Sequence, residues 1–283
     1  MGVRKPDVGD YYGPDYRNFE AEIYAAVRTE AFGVDVGQNS WLTVEELERF
    51  GGLLELGPSV RLLDVACGSG GPTLHLARLH GCEAVGAELY EKAVARGNAA
   101  SEVAGLQKQV RFVCADANSR LSFADESFDA ILCIDAICHL PDRPRVLADW
   151  TRLLRPGGRL MFTDPVVLTG RVSSAEIATR SVGDFLFLPP GENERLLADA
   201  GLDLVGVEDT TDHLAAIAQR RLDARANHAE QLVAIEREHV FENRQRLFDL
   251  VAKLARERRL SRFAYTAARP TQRLTDRSAR EET

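Results

Sequence analysis

The residues with the clearest chemistry form a glycine turn directly after an apolar run. Residues 62–71 place the carboxyl group of Asp64 four positions before Gly68, and Gly70 follows two positions later. Glycine allows the backbone to approach a ligand closely, and a helix that begins at such a turn points free N–H groups toward it. The pattern predicts a strand, a turn and a helix that cradle a nucleotide-type ligand. The alternative is that these glycines serve packing alone.

Two more acidic residues stand at the ends of the next predicted strands. Glu88 lies near the end of the apolar run 83–89, about 20 residues after the glycine turn, where a carboxylate can accept hydrogen bonds from ribose hydroxyls. Asp116 ends the run 110–116. A dinucleotide fingerprint would have glycine or alanine at its third position, where Thr73 stands here, and this disfavours a nicotinamide-dependent oxidoreductase. Acids at three consecutive strand ends favour an adenosine-type site.

The acid followed by a Gly-x-Gly turn resembles the first motif of class I S-adenosylmethionine (AdoMet) methyltransferases. The segments Ile-Asp-Ala-Ile-Cys-His-Leu-Pro-Asp at 134–142 and Phe-Thr-Asp-Pro at 162–165 are similar to those of the sarcosine/dimethylglycine and phosphoethanolamine N-methyltransferases. The resemblance implies that AdoMet is the cofactor, that S-adenosylhomocysteine is the product and that a small amine is the acceptor. It also implies a set of cofactor-binding residues: Gln38, Ser40, Asp64, Gly68, Gly70, Glu88, Leu89, Asp116, Ala117 and Ile134.

The same resemblance implies three catalytic residues. His139 would take a proton from the amine, because imidazole with its ordinary pKa of about 6.5 is a suitable acceptor. Asp135 would contact the amine, and Tyr24 on an N-terminal helix would pair with His139. Pro165 stands where phosphobase enzymes tend to have tyrosine, which counts against phosphoethanolamine. Three alternatives stay open: an O- or C-methyltransferase of a natural-product-type metabolite, a non-catalytic AdoMet-binding protein, and packing or capping roles for these side chains.

The elements that position these residues follow the α/β order of a Rossmann-like class I methyltransferase. We expect a seven-stranded sheet with its last strand antiparallel, N-terminal helices, and a helical insertion between strands six and seven. The turn Gln38-Asn39-Ser40 is expected to close over the methionine end of AdoMet. The expected units are an N-terminal helical cap (1–57), an AdoMet-binding core (58–211), a helical insertion or lid (212–259), the last core strand (260–269) and a disordered polar tail (270–283).

Composition limits the partners of the protein. The 283 residues are 45% hydrophobic and 28% charged, with a formal net charge of −8. An acidic chain disfavours nucleic acid and anionic membranes, so a small-molecule substrate is expected. The arginines between 220 and 246 alternate with Asp and Glu, a pattern typical of a solvated face: Arg220, Arg221, Arg225, Arg237, Arg244 and Arg246.

The cysteines and the absence of apolar segments predict the compartment. The five cysteines include no Cys-x-x-Cys pair, which fits a reducing cytoplasm. No stretch has the pattern of a signal peptide or of a membrane span. No His, Cys, Asp or Glu group has metal-ligand spacing, so no metal is expected. The sequence is compatible with a homo-oligomer.

Overall fold

A computed structural model describes residues 17–181 and 184–271. It contains one seven-stranded sheet, whose strands are Arg61–Val65 (β1), Glu83–Glu88 (β2), Val110–Cys114 (β3), Phe128–Cys133 (β4), Leu154–Leu168 (β5), Asp203–Asp209 (β6) and Leu260–Ala268 (β7). The strand order is β3-β2-β1-β4-β5-β7-β6. Strands β1 to β5 pair in parallel, whereas β7 runs antiparallel to β5 and to β6. This is the predicted sheet.

Helices cover the sheet and extend beyond it. They are Glu22–Phe32 (α1), Val44–Leu53 (α2), Gly71–His80 (α3), Glu91–Val103 (α4), Arg143–Leu153 (α5), Ser174–Arg180 (α6), Glu192–Asp199 (α7), Thr211–Asn227 (α8), Ala229–Glu236 (α9) and Glu238–Arg256 (α10). A short 3-10 helix spans Ile137–His139. Helices α8 to α10 form the expected insertion between β6 and β7.

Local sequence sets several of the helix ends. The Thr43 hydroxyl accepts a hydrogen bond from the Glu46 N–H and so begins α2. Ser173 and Glu176 form a reciprocal capping box at the start of α6. Gly81, with a φ of 71°, ends α3 in the left-handed conformation that glycine adopts at little cost. These short-range signals set the start of α2, the end of α3 and the start of α6.

Alternating side chains build a hydrophobic core on each face of the sheet. Leu62 and Leu63 are both fully buried, yet they belong to opposite clusters, as the two-residue period of a strand requires. One cluster surrounds Trp150 and Phe162. The other surrounds Phe112 and includes residues of α2, α3 and β3. The strand ends are therefore held rigidly from both sides.

A third cluster joins the N-terminal helix to the insertion. Val27 of α1 and Trp41 pack with Ile217 of α8 and Phe248 of α10. Helix α1 therefore belongs to the same packed body as the insertion. The domain boundaries drawn from the sequence stay a prediction, and residues 1–16 of the expected cap and 272–283 of the expected tail lie outside the described residues.

Candidate functional site

A cavity of about 400 Å³ opens at the carboxyl ends of the parallel strands. Its cofactor end is lined by residues that follow β1, β2 and β3. The part that we call the acceptor end is lined by residues that follow β4 and β5 and by residues of α8 and α10. Every cofactor residue implied by the sequence lines this cavity except Gly70. The acceptor-end residues used below are Trp41, His139, Arg180, Phe185, Arg221, Arg244, Leu247 and Phe248.

Glu88 organises the glycine turn. One carboxylate oxygen accepts the Gly68 N–H at 3.0 Å, and the other accepts the Tyr90 N–H at 3.1 Å. Burial raises the pKa of Glu88, although these two backbone N–H groups oppose the shift. A carboxylate oxygen has more than one lone pair, so each can accept a further hydrogen bond from a ligand hydroxyl. Glu88 thus both shapes the loop and faces the cavity.

Asp64 lies beneath the same turn and is nearly fully buried. Its Oδ2 accepts the Thr73 hydroxyl proton at 2.5 Å. Burial, together with the nearby charge of Glu88, raises the pKa of Asp64 to about 7, while the Thr73 hydrogen bond opposes this. Thr73, which departs from the dinucleotide fingerprint, therefore has a defined role: it ties the first turn of α3 to the end of β1.

The two turn glycines adopt positive φ angles, 59° at Gly68 and 79° at Gly70. A Cβ atom on Gly70 would lie 2.3 Å from the Phe112 ring, and Gly86 and Gly97 face the same ring at similarly short distances. Gly70 thus allows the turn to pack onto the sheet core, and it does not line the cavity. The geometry of Gly70 thus matches the alternative offered in the sequence analysis, in which a turn glycine serves packing alone.

Asp116 and Leu89 provide a polar and an apolar surface at the cofactor end. Asp116 is exposed, and its Oδ1 accepts the Asn118 N–H at 2.8 Å. The Leu89 side chain is 51% exposed although it is large and apolar. Ala117 and Ile134 line the same region. A flat aromatic base with an exocyclic amino group matches this combination, because the base would cover the apolar surface while Asp116 accepts the amino proton.

The N-terminal turn closes one side of the cavity. The Gln38 amide donates to the Val34 carbonyl and accepts from the Val36 N–H, so Gln38 holds the turn itself. The hydroxyls of Ser40 and Ser69 are buried and make no hydrogen bond to any residue within 17–181 or 184–271. Buried hydroxyls without partners are suited to the amino and carboxylate groups of a bound ligand. These two atoms, with Glu88 and Asp116, fit AdoMet.

Asp135 lines the cavity, but its oxygens are already bonded. Oδ1 accepts from Arg262 Nε at 2.7 Å and from the Thr163 hydroxyl at 2.8 Å, and Oδ2 accepts the Trp41 N–H at 2.8 Å. Arg262 is fully buried and also bonds Glu46. The φ of Asp135 is 52°, a strained value that this network maintains. Contact between Asp135 and an amine stays a prediction, and the ion pair with Arg262 counts against it.

His139 ends the 3-10 helix at the acceptor end. Its ring packs edge-on against Phe185, with ring centroids 4.4 Å apart. Burial first, and then the positive charge of Arg180, lower the pKa of His139 to about 4. The imidazole is therefore neutral near pH 7, as a proton acceptor must be, but it is a weak base. Its catalytic role stays a prediction.

Tyr24 packs in the cluster that joins α1 to the insertion. Its hydroxyl donates to Glu236 Oε2 at 2.7 Å, and Glu236 also pairs with Arg225. Tyr24 does not line the main cavity and makes no hydrogen bond to His139 within the described ranges. The pairing of Tyr24 with His139 stays a prediction, and the hydrogen bond of Tyr24 to Glu236 at the end of α9 counts against it.

The expectation of a solvated arginine face is wrong for three of the residues. Arg225 and Arg244 are buried. Arg221 lines the cavity, stacks on the rings of Phe248 and Trp41 at 4.5 and 5.0 Å, and donates to the carbonyl oxygen of Ser40 at 3.2 Å. Alternation of charges along one helix could not show which face another helix would cover. Arg180, also at the acceptor end, carried no signal in the sequence.

Two searches of the described residues bear on other functions. No group of three or more His, Cys, Asp or Glu side chains within 17–181 and 184–271 could hold a metal ion. None of the helices in these ranges is both long enough and apolar enough to cross a membrane.

Comparisons with known proteins agree with the cradle described above. A family model described as a methyltransferase domain matches residues 63–162. The chain is 38% identical to methyltransferase GfsG of Streptomyces halstedii, over 73% of this chain and 76% of that protein. It is 31% identical to the 27-O-demethylrifamycin SV methyltransferase of Amycolatopsis mediterranei, over 68% and 75% of the two proteins.

Among solved structures, the fold is similar to that of phosphoethanolamine N-methyltransferase 2 of Haemonchus contortus in complex with S-adenosylhomocysteine. The TM-score is 0.77 with 18% identity, over 93% of this chain and 60% of that one. The sheet order, the cofactor cradle and the sequence relatives lead to one assignment, which confirms the family predicted from the sequence. The chain belongs to the class I S-adenosylmethionine-dependent methyltransferases.

Proposed function

We propose that this small-molecule methyltransferase transfers its methyl group to a hydroxyl oxygen of a larger, natural-product-type metabolite. The sequence left two main acceptor classes open, a small amine and an oxygen or carbon of a larger metabolite. We choose the hydroxyl acceptor because of the bonding of Asp135, the acid that was expected to hold an amine. Its charge is countered by Arg262 at 2.7 Å, and both of its oxygens accept protein hydrogen bonds.

The charges at the acceptor end favour a neutral or anionic acceptor. Arg180 lines it, and its Nε and Nη2 atoms make no hydrogen bond to any described residue, whereas Asp135 in the loop after β4 is already paired with Arg262. A protonated amine would meet the positive charge of Arg180 there. Like charges about 4 Å apart repel by about 4 kcal/mol at an effective dielectric constant of about 20, enough to weaken binding by orders of magnitude. A hydroxyl carries no such penalty.

The lining of the acceptor end also favours a larger molecule. Trp41, Phe185, Leu247 and Phe248 present apolar side chains to the cavity. Aromatic and aliphatic walls gain binding free energy by covering apolar surface, which a small amine does not provide. An acceptor with rings or a long hydrocarbon portion would fill this space. The name of the Amycolatopsis relative describes methylation at an oxygen of such a metabolite, which supports the same choice.

The residues of the chain would align the reactants and exclude water. Glu88, Asp116 and the loop at Gly68 would hold the adenosine part of AdoMet, and the hydroxyls of Ser40 and Ser69 would hold its methionine part. When bound, AdoMet supplies a methyl group whose carbon–sulfur bond breaks, with the electron pair left on sulfur, as the acceptor lone pair forms the new bond. Neutral His139 would hydrogen-bond to the acceptor oxygen and orient it, and the hydroxyl proton would pass to solvent water. Such alignment can lower the barrier to a displacement of this kind by about 7 to 11 kcal/mol.

The second candidate is N-methylation of a small amine. The spacing of Asp135 and His139, four residues apart, favours it because it matches the segment of the N-methyltransferases noted above. The ion pair of Asp135 with Arg262 counts against it.

The experiment is a methyl-transfer screen with labelled AdoMet and matched acceptors. Each scaffold is offered with a hydroxyl and with an aminomethyl group at the same position, for example 2-naphthol and 2-(aminomethyl)naphthalene. Mass spectrometry identifies the methylated atom. Transfer to the hydroxyl members, with little to the amines, is the expected result. Transfer to amines alone would overturn the proposal and establish the second candidate.

A further inference from the structure

Arg180 is a buried cation at the acceptor end that has no anionic partner among residues 17–181 and 184–271. It is the last residue of α6, lines the cavity and is only 3% exposed. Its Nε and Nη2 atoms make no hydrogen bond to any residue in the described ranges. The guanidinium carbon lies 5.3 Å from the ring centroid of Phe185 and 5.9 Å from that of Trp41. These rings hold the guanidinium in place without neutralising it.

Other buried arginines of this protein are paired. Arg143 bonds Asp164, Arg262 bonds Asp135 and Glu46, and Arg225 bonds Glu236. The contrast is informative because a buried guanidinium without an anion is strongly disfavoured unless a partner arrives from outside. The open cavity beside Arg180 is the route by which such a partner can arrive.

His139 shares a wall with Arg180, since both contact the ring of Phe185. With a pKa of about 4, His139 is a poor acceptor for the proton of an ordinary hydroxyl. Even for a phenol with a pKa of about 10, the equilibrium constant for complete transfer to such a base is on the order of 10⁻⁶. The acceptor must therefore become more acidic in the site, and a neighbouring guanidinium has this effect by favouring the ionised form.

We propose that the methyl acceptor is an acidic hydroxyl, a phenol or an enol, that binds to Arg180 as its oxyanion beside His139. This inference rests on the proposed hydroxyl acceptor and adds its chemical class. The O–H bond breaks, the proton passes to solvent water, and the electron pair stays on the oxygen as the nucleophile. Arg180 thus determines specificity, because an aliphatic alcohol ionises too weakly to benefit from it.

The test uses 4-nitrophenol as the probe in the complex with S-adenosylhomocysteine, which lacks the sulfonium charge of AdoMet. The absorbance of the phenolate reports the pKa of the bound probe, and no methyl transfer is needed. We expect the bound probe to have a pKa at least one unit below that of the free probe, so that the anion binds at least about tenfold more tightly than the neutral form. Arg180→Met should abolish the shift, and Arg180→Lys should retain part of it.

The control is Arg145→Met, which removes a partly exposed arginine that already pairs with Asp142 and does not line the cavity. This variant should keep the full shift. Circular dichroism and the affinity for S-adenosylhomocysteine establish that each variant is folded, and Arg180→Gln replaces the methionine variant if that one is unstable. Equal probe pKa values in the wild type and in Arg180→Met would overturn the inference, as would failure of both probe forms to bind.

The outcome of the probe experiment does not depend on the outcome of the acceptor screen. A pKa shift that depends on Arg180, together with methylation of amines only, would contradict the proposed function while the anion site stands. Methylation of phenols and aliphatic alcohols at similar rates, with no pKa shift of the probe, would support the hydroxyl acceptor and overturn the role of Arg180.

Discussion

The Thr73 hydroxyl donates a 2.5 Å hydrogen bond to Asp64, and this bond joins the end of β1 to the first turn of α3. Both side chains are almost completely buried. Thr73 opposes the rise that burial imposes on the pKa of Asp64, which nevertheless reaches about 7. The base of the cofactor loop therefore contains a carboxyl group that titrates near neutral pH.

We first predict that Asp64 makes the protein less stable as pH rises from about 4 to about 7. In this range the unfolded chain has lost the Asp64 proton, whereas the folded protein still holds it, so the free energy of unfolding falls by up to about 4 kcal/mol. Asp64→Asn removes this titration. Urea unfolding of both proteins between pH 4.5 and 7.5 measures the difference in slope. If the free energies of unfolding of the two proteins change with pH in parallel, the pKa assigned to Asp64 is contradicted.

We next predict that Glu88→Gln weakens AdoMet binding. An amide cannot accept the N–H groups of Gly68 and Tyr90 with both of its terminal atoms, and it brings no charge to a ligand hydroxyl. The expected loss is about 1.5 to 3 kcal/mol, the usual range for hydrogen bonds to a charged group. Calorimetry measures it, with Glu91→Gln, an exposed carboxylate in the first turn of α4, as the matched control. Equal affinities of the two variants for AdoMet would show that Glu88 does not contribute to binding the cofactor.

The contact between Gly70 and Phe112 predicts a loss of stability in Gly70→Ala. The new Cβ would lie 2.3 Å from the ring, at a φ of 79°, and overpacking and backbone strain together should cost at least about 2 kcal/mol. Gly52→Ala, whose Cβ meets nothing within 4 Å, should be neutral or slightly stabilising. Thermal unfolding compares the two. Adding Phe112→Leu to Gly70→Ala should recover part of the lost stability. If the changes in the free energy of unfolding of the two single variants simply add in the double variant, the contact between Gly70 and Phe112 is contradicted.

The ion pair of Asp135 predicts how activity responds to Asp135→Asn. Because the carboxylate pairs with Arg262 and holds the Trp41 N–H, its loss should disturb the site without regard to the charge of the acceptor. The kcat/KM values for neutral and cationic acceptors should therefore fall by similar factors. A loss confined to cationic acceptors would favour the amine alternative. Arg262→Met, which leaves Asp135 and Glu46 unpaired, should lower the free energy of unfolding by about 3 to 5 kcal/mol.

The parts of this protein that the sequence predicted depend on short-range patterns. Apolar runs that end in Asp64, Glu88 and Asp116 became neighbouring parallel strands whose ends line one cavity. The glycine turn was predicted as well. Such features depend on local hydrophobic period and turn chemistry, which one sequence contains in full. The antiparallel direction of the last strand was instead implied by the resemblance to class I methyltransferases.

The parts that the sequence missed depend on distant pairs. Asp135 meets Arg262 across 127 positions, and Tyr24 meets Glu236 across 212. No periodicity along either segment could reveal these partners. Arg180 is missed for a related reason: its importance lies in the absence of a partner within the described residues, and only the packed structure shows that absence.

The hydrogen bonds of Arg221 to Asn39 and Ser40 have a consequence for attempts to recombine this enzyme with its relatives. Helix α8 and the turn at residues 38–40 would be inherited as a single unit, because α1, α8 and α10 share one hydrophobic cluster. A chimera that receives only a foreign insertion would lose cofactor affinity along with its old acceptor preference. Exchange of residues 17–41 together with α8 to α10 would preserve both the hydrogen bonds of Arg221 and this hydrophobic cluster.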